Sequence, residues 1–173
     1  MSKIVSKEFF SENVVKLEVE APLIARSRKA GHFVIVRVDA NGERIPLTIA
    51  DSDTEKGTIT LVIQKIGASS TKITNLNVGD ELLDVVGPLG KATHIDKFGT
   101  VVCSGGGVGV APLLPIIKAM KAAGNKVISI LAARTKDLVI LEEQVIPAEE
   151  HITCLGWSWK SVCATLDIER QSH

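Results

Sequence analysis

Apolar and polar residues alternate through the first half of the chain. Val14, Val15, Leu17 and Val19 form one approximately alternating run, and residues 33–38 form a second after Gly31. Residues 45–50, 58–66 and 81–86 add three more, with Asn41-Gly42, Gly57 and Gly79-Asp80 supplying turn chemistry between runs. Many short β segments at roughly even spacing predict a closed or nearly closed antiparallel barrel. The one helical candidate in this half is 69–76, where Ile73 and Leu76 lie three residues apart.

From Gly99 the period changes. Residues 100–103 read as a short apolar strand, followed by Ser104, the run Gly105-Gly106-Gly107-Val108-Gly109, and Val110-Ala111-Pro112. A helix is predicted from there to about Ala123, with Leu113, Ile116, Ile117 and Met120 as its core-facing stripe. Pro112 and Pro115 are placed in its first turn, where a missing N–H costs nothing. Gly124 reads as its stop, and Lys118 and Lys121 suit the negative end of its dipole. Lys126–Ala133 is a continuous apolar run, as in a strand buried on both faces. Asp137 reads as the N-cap of a further helix over 138–145, ended near Pro147. The expected fold is therefore β plus α/β: an antiparallel barrel over 1–97, an incomplete parallel Rossmann-like domain over 98–147, and an atypical tail over 148–173. The boundary falls near residues 91–99.

Charge narrows the function classes. Lys+Arg and Asp+Glu each number 20 in 173 residues, and neither half is polarised. Non-specific nucleic-acid binding needs a clustered basic surface and is not expected. The chain is 45% hydrophobic and 23% charged, ordinary for a globular core and too apolar for disorder. It has neither an 18-residue apolar stretch nor a signal-peptide core, so the expectation is a soluble cytoplasmic protein without membrane insertion. The three cysteines, Cys103, Cys154 and Cys163, are scattered and form no C-x-x-C pair, which argues against a disulfide framework. Both tryptophans, Trp157 and Trp159, lie in the tail.

The glycine run carries the clearest chemistry. It sits between a strand and a helix, where glycines let the backbone approach a pyrophosphate and the helix N-terminus meets its charge. A tight strand–helix turn also needs glycine, but four in five residues exceed that need. The Rossmann fingerprint is modified: Pro112 fills the third glycine position, and no acid ends the second strand. Arg134 stands there instead, able to accept a 2′-phosphate, so NADP(H) is weakly preferred to NAD(H). Three other segments are ambiguous alone. Arg44-Ile45-Pro46-Leu47-Thr48-Ile49 reads as an edge strand, Gly67-Ala68-Ser69-Ser70-Thr71 as a helix cap, and Gly87-Pro88-Leu89-Gly90 as a turn.

In that order and spacing, the four segments together resemble the ferredoxin–NADP reductase superfamily. The chain is most similar to its sulfide dehydrogenase and dihydroorotate dehydrogenase electron-transfer subunits, a group that includes the small subunit of NADH-dependent ferredoxin–NADP oxidoreductase. The resemblance covers about residues 1–146. It implies FAD on the barrel, with Arg44 at the pyrophosphate and Pro46, Leu47 and Thr48 against the isoalloxazine, Thr48 near its N5. It implies Val62, Ile63 and Gln64 on the adenosine side, and Gly67, Ser69 and Ser70 around the phosphates. Gly87, Pro88, Leu89 and Gly90 would close the flavin edge. Gly105, Gly106, Gly107, Val108, Gly109, Ala111 and Pro112 would hold NADP(H) or NAD(H), with Arg134 and Thr135 at the ribose end. The flavin accepts the hydride, so no catalytic acid or base is demanded, and His32 and His94 are expected to be structural or surface residues.

The tail departs from that pattern. Members of the group continue for about another hundred residues and end in a cysteine-rich segment holding a [2Fe–2S] cluster. That segment does not occur here, and three cysteines are too few for four thiolates, so this chain is expected to hold no cluster. A frameshifted or truncated reading frame would produce such a tail. The first functional expectation is an FAD-containing oxidoreductase subunit moving electrons between NAD(P)H and an iron–sulfur large subunit or ferredoxin-type partner. The alternative is a flavin-binding fragment without turnover. A third reading is an NADP-binding module whose barrel serves only for partner contacts.

Overall fold

A computed structural model describes residues 1–145 and 150–155. The atypical tail, apart from 150–155, lies outside the described residues, and with it Trp157, Trp159, Cys163 and the stop at Pro147.

The first half is a nearly closed antiparallel barrel of seven strands. They are β1 (Ser2–Ser11), β2 (Val14–Glu20), β3 (Phe33–Arg37), β4 (Ile45–Asp53), β5 (Thr58–Gln64), β6 (Glu81–Leu82) and β7 (Asp84–Leu89). Their order in the sheet is β6-β1-β2-β5-β4-β3-β7. The two ends of that order, β6 and β7, are separated in sequence by Leu83 alone, so chain continuity brings the ends of the sheet together. Alternation explains the inside: Ile4, Leu17, Val19, Val34, Val36, Ile49, Ile59, Leu61 and Leu82 are fully buried in one cluster. Two helices add to this core, α1 (Pro22–Ser27) through Ile24 and Ala25, and α2 (Ala68–Thr74) through Ile73.

Two of these elements escaped the sequence pattern. β1 is interrupted by two register shifts, at 4/6 and 9/11, which break the period-two signal on which the reading relies. α1 has six residues, too few to show a 3.6-residue period, so 69–76 is not the only helix of this half.

The second half is a three-stranded parallel sheet, β10-β9-β8. β8 (Thr100–Gly106) and β9 (Lys126–Ala133) are joined through α3 (Val110–Ala122), and β10 (Glu150–Leu155) pairs parallel to β9. Among the described residues this sheet therefore has three members, the third of them in the segment read from the sequence as an atypical tail. Gly124 terminates the α3 segment in the left-handed region at φ +82°.

The packing of α3 differs from expectation. Val110, Ala111, Leu114, Ile117 and Met120 are buried, whereas Leu113 and Ile116 are only partly so. The helix begins two residues before Pro112 and packs against both the sheet and the barrel, which turns the buried stripe. Pro115 consequently lies inside the helix rather than in its first turn, and its ring is buried. The predicted helix over 138–145 is also corrected. A 3₁₀ turn spans Lys136–Leu138, and only α4 (Glu142–Val145) is helical. Leu138, Val139, Ile140 and Leu141 form a continuous apolar run without helical period; Leu141 takes a left-handed φ of +58°, which buries Ile140, Leu141 and Val145.

Residues 91–98 carry no helix or strand. Asn125, buried after α3, fixes the end of this connection. Its Oδ1 accepts the backbone N–H groups of Phe98 (2.6 Å) and Gly99 (3.0 Å), and its Nδ2 donates to the carbonyls of Asp96 and Met120. Among the described residues no helix is long and apolar enough to cross a membrane.

Candidate functional site

β4 changes partner halfway along, and this creates the first part of the site. Residues 45–48 pair with β3, and 49–53 pair with β5. The β4–β5 pairing ends at Ile49 opposite Leu61, so Val62, Ile63 and Gln64 have β2 on one side and no β4 partner on the other. Lys65 donates its backbone N–H to Asn13, so strand alternation turns the backbone groups of Val62 and Gln64 away from β2 and into the gap. The side chains of Val62 and Ile63 are buried in the two cores, so it is the backbone of Val62 and Gln64, with the exposed Gln64 side chain, that the gap presents.

The far end of the gap is bounded by the β3–β4 loop and the start of α2. Ser69 Oγ donates to the Glu43 carboxylate, and Lys72 pairs with Asp39 of the same loop. The first contact brings the segment beginning at Arg44 against the segment Gly67-Ala68-Ser69-Ser70. Ser70 is already committed locally: its Oγ accepts the N–H groups of Ile66 and Gly67, both at 3.0 Å. Arg44 is 57% exposed and pairs with Asp84 at 3.1 Å, a carboxylate that Arg37 also holds at 2.7 Å. Pro46 is exposed, and Leu47 and Thr48 are half-buried.

The Gly87-Pro88-Leu89-Gly90 segment has a packing explanation. It forms the end of β7, with a cis bond before Pro88, and Leu89 lies opposite Phe33. A Cβ on Gly87 would lie 2.7 Å from Val34 Cγ1, and one on Gly90, at φ +86°, would meet the Phe33 ring at 2.9 Å. Both glycines are required by close approach to β3.

The second part of the site is a crevice of about 420 Å³ between the barrel and the carboxyl ends of β8 and β9. Ser11, Val14 and Gln64 line it from the barrel, and Gly106, Gly107, Val108 and Arg134 from the α/β half. Open parallel sheets bind ligands at this end. Gly105 and Gly106 finish β8, and residues 107–109 form a 3₁₀ turn that leads into α3, with Ala111 and Pro112 in its first turn. Gly107 needs its residue type for conformation, at φ +53°. At Gly105 a Cβ would come within 3.0 Å of Leu113 Cδ2, a tight contact with the end of a partly buried side chain. Arg134 and Thr135 follow β9 and are exposed. Among the described residues, the lining holds one cation, Arg134, and no carboxylate.

Gln64 belongs to both parts: its backbone faces the gap and it lines the crevice. His32 and His94 stand elsewhere. His32 Nδ1 accepts the backbone N–H of Lys29, and His94 lies edge-on to Phe98 at the surface. The sequence reading missed Glu43 and the pairing of Arg37 with Asp84. Glu43 adjoins Arg44 in the sequence, but its Ser69 partner is 26 positions away.

Comparison with known proteins agrees with this architecture. Residues 1–94 match the oxidoreductase FAD-binding domain family. A dihydroorotate dehydrogenase B (NAD(+)) electron transfer subunit homolog from Thermotoga maritima is 40% identical over 144 residues, covering 83% of this chain and 51% of the relative. The dihydroorotate dehydrogenase B (NAD(+)) electron transfer subunit of Bacillus cereus is 31% identical over 148 residues, covering 82% and 56%. The chain thus spans about half the length of the curated relatives it matches. The solved structure of an NADH-dependent reduced ferredoxin–NADP oxidoreductase superposes with a TM-score of 0.91 at 36% identity, covering 98% of this chain and 64% of that one.

Proposed function

The chain belongs to the oxidoreductase FAD-binding domain family, and from that membership we propose that it is a flavoprotein oxidoreductase subunit passing electrons between NAD(P)H and an iron–sulfur or ferredoxin-type partner. The observation that carries this reading is the position of Gln64, whose backbone faces the β4–β5 gap and which also lines the glycine crevice, so that the two parts of the site adjoin.

The residues present fit FAD. The gap offers unpartnered backbone groups at Val62 and Gln64, the Ser69 hydroxyl, and a cation at Arg44 that can leave Asp84 without orphaning it, because Arg37 remains. Pro46, Leu47 and Thr48 supply the wall, and Gly67 and Ser70 shape the loop that presents Ser69. Bound FAD supplies hydride acceptance and single-electron release. The protein's own part is to bind, orient and keep the two nucleotides adjacent. Gly105, Gly106, Gly107 and Val108 admit a pyridine nucleotide close to the backbone, and Arg134 at the mouth favours a 2′-phosphate, hence NADP(H) over NAD(H). In this reading the electrons pass on to an iron–sulfur or ferredoxin-type partner. A cytoplasmic setting fits this pairing.

Reconstitution and stopped-flow kinetics test the reading. The protein should take up FAD in preference to FMN and bleach on mixing with NADPH faster than with NADH. Absence of flavin binding, or equal affinity for FMN, overturns it. A second reading, flavin binding without turnover, is favoured by the position of β8 at the border of the sheet among the described residues, where the crevice is framed by the ends of β8 and β9. FAD uptake without bleaching by either nucleotide selects that reading.

A further inference from the structure

We propose that Glu43 is a resident competitor for the diphosphate of the flavin nucleotide, so that FAD enters by displacing its carboxylate from Ser69. The inference rests on the flavin reading above.

Two contacts build the arrangement. The loop carrying Glu43 is folded on itself, with Gly42 donating its N–H to the Asp39 carbonyl at 3.0 Å and Asn41 donating to Asp39 Oδ1 at 3.0 Å. It is also tied to α2 by Lys72, which holds Asp39, and by Ser69, which holds Glu43. The Glu43 carboxylate is therefore held against the hydroxyl that a phosphate would use. Its neighbour Arg44 points to Asp84, together with Arg37. At this end of the gap Glu43 sets a carboxylate against the Ser69 hydroxyl, while Lys72 is held by Asp39 and Arg44 by Asp84. A diphosphate can settle there only if the carboxylate swings out and Arg44 changes partner. Both moves are inexpensive: Glu43 and Arg44 are exposed, and Arg37 keeps Asp84 paired. The arrangement sets a threshold for retention that acts on phosphate-bearing flavins and leaves the isoalloxazine contacts alone.

Glu43→Gln keeps an oxygen that accepts from Ser69 and removes the charge. In equilibrium titrations of the full chain at low salt, this variant should bind FAD at least about fivefold more tightly than the parent, the size of one like-charge contact near 4 Å in water. Riboflavin, which has no phosphate, should bind both proteins equally, and Glu43→Asp should track the parent. The gain should shrink at high salt. If the parent binds FAD and Glu43→Gln binds it no more tightly, or if riboflavin gains equally, the competitor role is overturned while the flavin reading stands. If neither protein binds FAD, the flavin reading and this inference fall together. Thermal melting of the variants in the flavin-free state checks that the exposed substitution leaves folding intact.

Discussion

Lys118 of α3 reaches across the seam between the two halves and donates to Asp51 of β4 at 2.5 Å. The other carboxylate oxygen of Asp51 accepts from Arg28 at 3.1 Å and from the Ser52 backbone N–H at 2.9 Å. Asp51 thus joins a barrel cation to an α/β cation. Lys118 is half exposed, so Lys118→Ala should cost no more than about 1 kcal/mol and its effect should fade at high salt. Asp51→Ala removes three donors' partner and leaves the mostly buried Arg28 uncompensated, costing about 2–3 kcal/mol. Urea denaturation of both variants at low and high salt measures the difference.

Asn125→Ala should be among the most damaging single changes outside the apolar cores. Four hydrogen bonds of a buried side chain are lost together, at about 1 kcal/mol each before relaxation, so a loss of about 2–4 kcal/mol is expected. Asn125→Asp discriminates between bonding and bulk. It keeps the acceptor for Phe98 and Gly99 but turns an oxygen toward two carbonyls, and its denaturation midpoint should also fall.

Gly107→Ala meets no atom within 4 Å but must hold φ +53°. The strain is about 1 kcal/mol, visible as a small drop in Tm. Gly107→Val adds a branched side chain at the crevice wall, and fluorescence titration should then show NADPH affinity lowered about tenfold or more. Unchanged affinity would separate Gly107 from nucleotide binding.

Burial pushes the Cys103 thiol above its ordinary value of 9.0. As pH rises, the unfolded chain releases this proton first, so the contribution to stability is complete below pH 9.0 and declines between 9.0 and the raised value. The parent should therefore lose stability above pH 9 relative to Cys103→Ala, compared by urea midpoints at pH 7 and pH 10. Iodoacetamide at pH 7.5 should label the peptide containing Cys103 only after unfolding, as mass mapping would read.

The barrel was legible where one face of each strand meets the core. Leu17 and Val19, or Ile59, Leu61 and Ile63, announce themselves by spacing. β1 hid because its two register shifts put Lys7 and Phe9 where a strict alternation would place other residues. The strand–turn–helix course of the glycine run was legible because Gly105, Gly106, Gly107 and Gly109 stand between an apolar strand and an apolar helix, so context interprets composition. The buried stripe of α3 was misjudged by one or two positions: periodicity defines a face, but Val14, Ala50 and Val62 on the barrel decide which face wins. The run of Leu138, Val139, Ile140 and Leu141 is helix-compatible by content, and a left-handed residue overrode it. Glu43–Ser69 and Asn125–Phe98 were invisible, since each is a hydrogen bond between residues more than 25 positions apart that only the assembled fold brings together.

The two hydrophobic clusters are not equals. The barrel interior is closed by barrel residues and its own two short helices, whereas the cluster under α3 is completed by Val14, Ala50 and Val62 from the barrel's outer wall. Dependence therefore runs one way. The α/β half can open while the barrel persists, but loss of the barrel removes part of the floor on which α3 rests. During synthesis the barrel strands emerge before β8, so the later half condenses onto a finished surface. A ligand spanning both halves would find the barrel wall in place first and would be held there while the glycine crevice assembled around its other end.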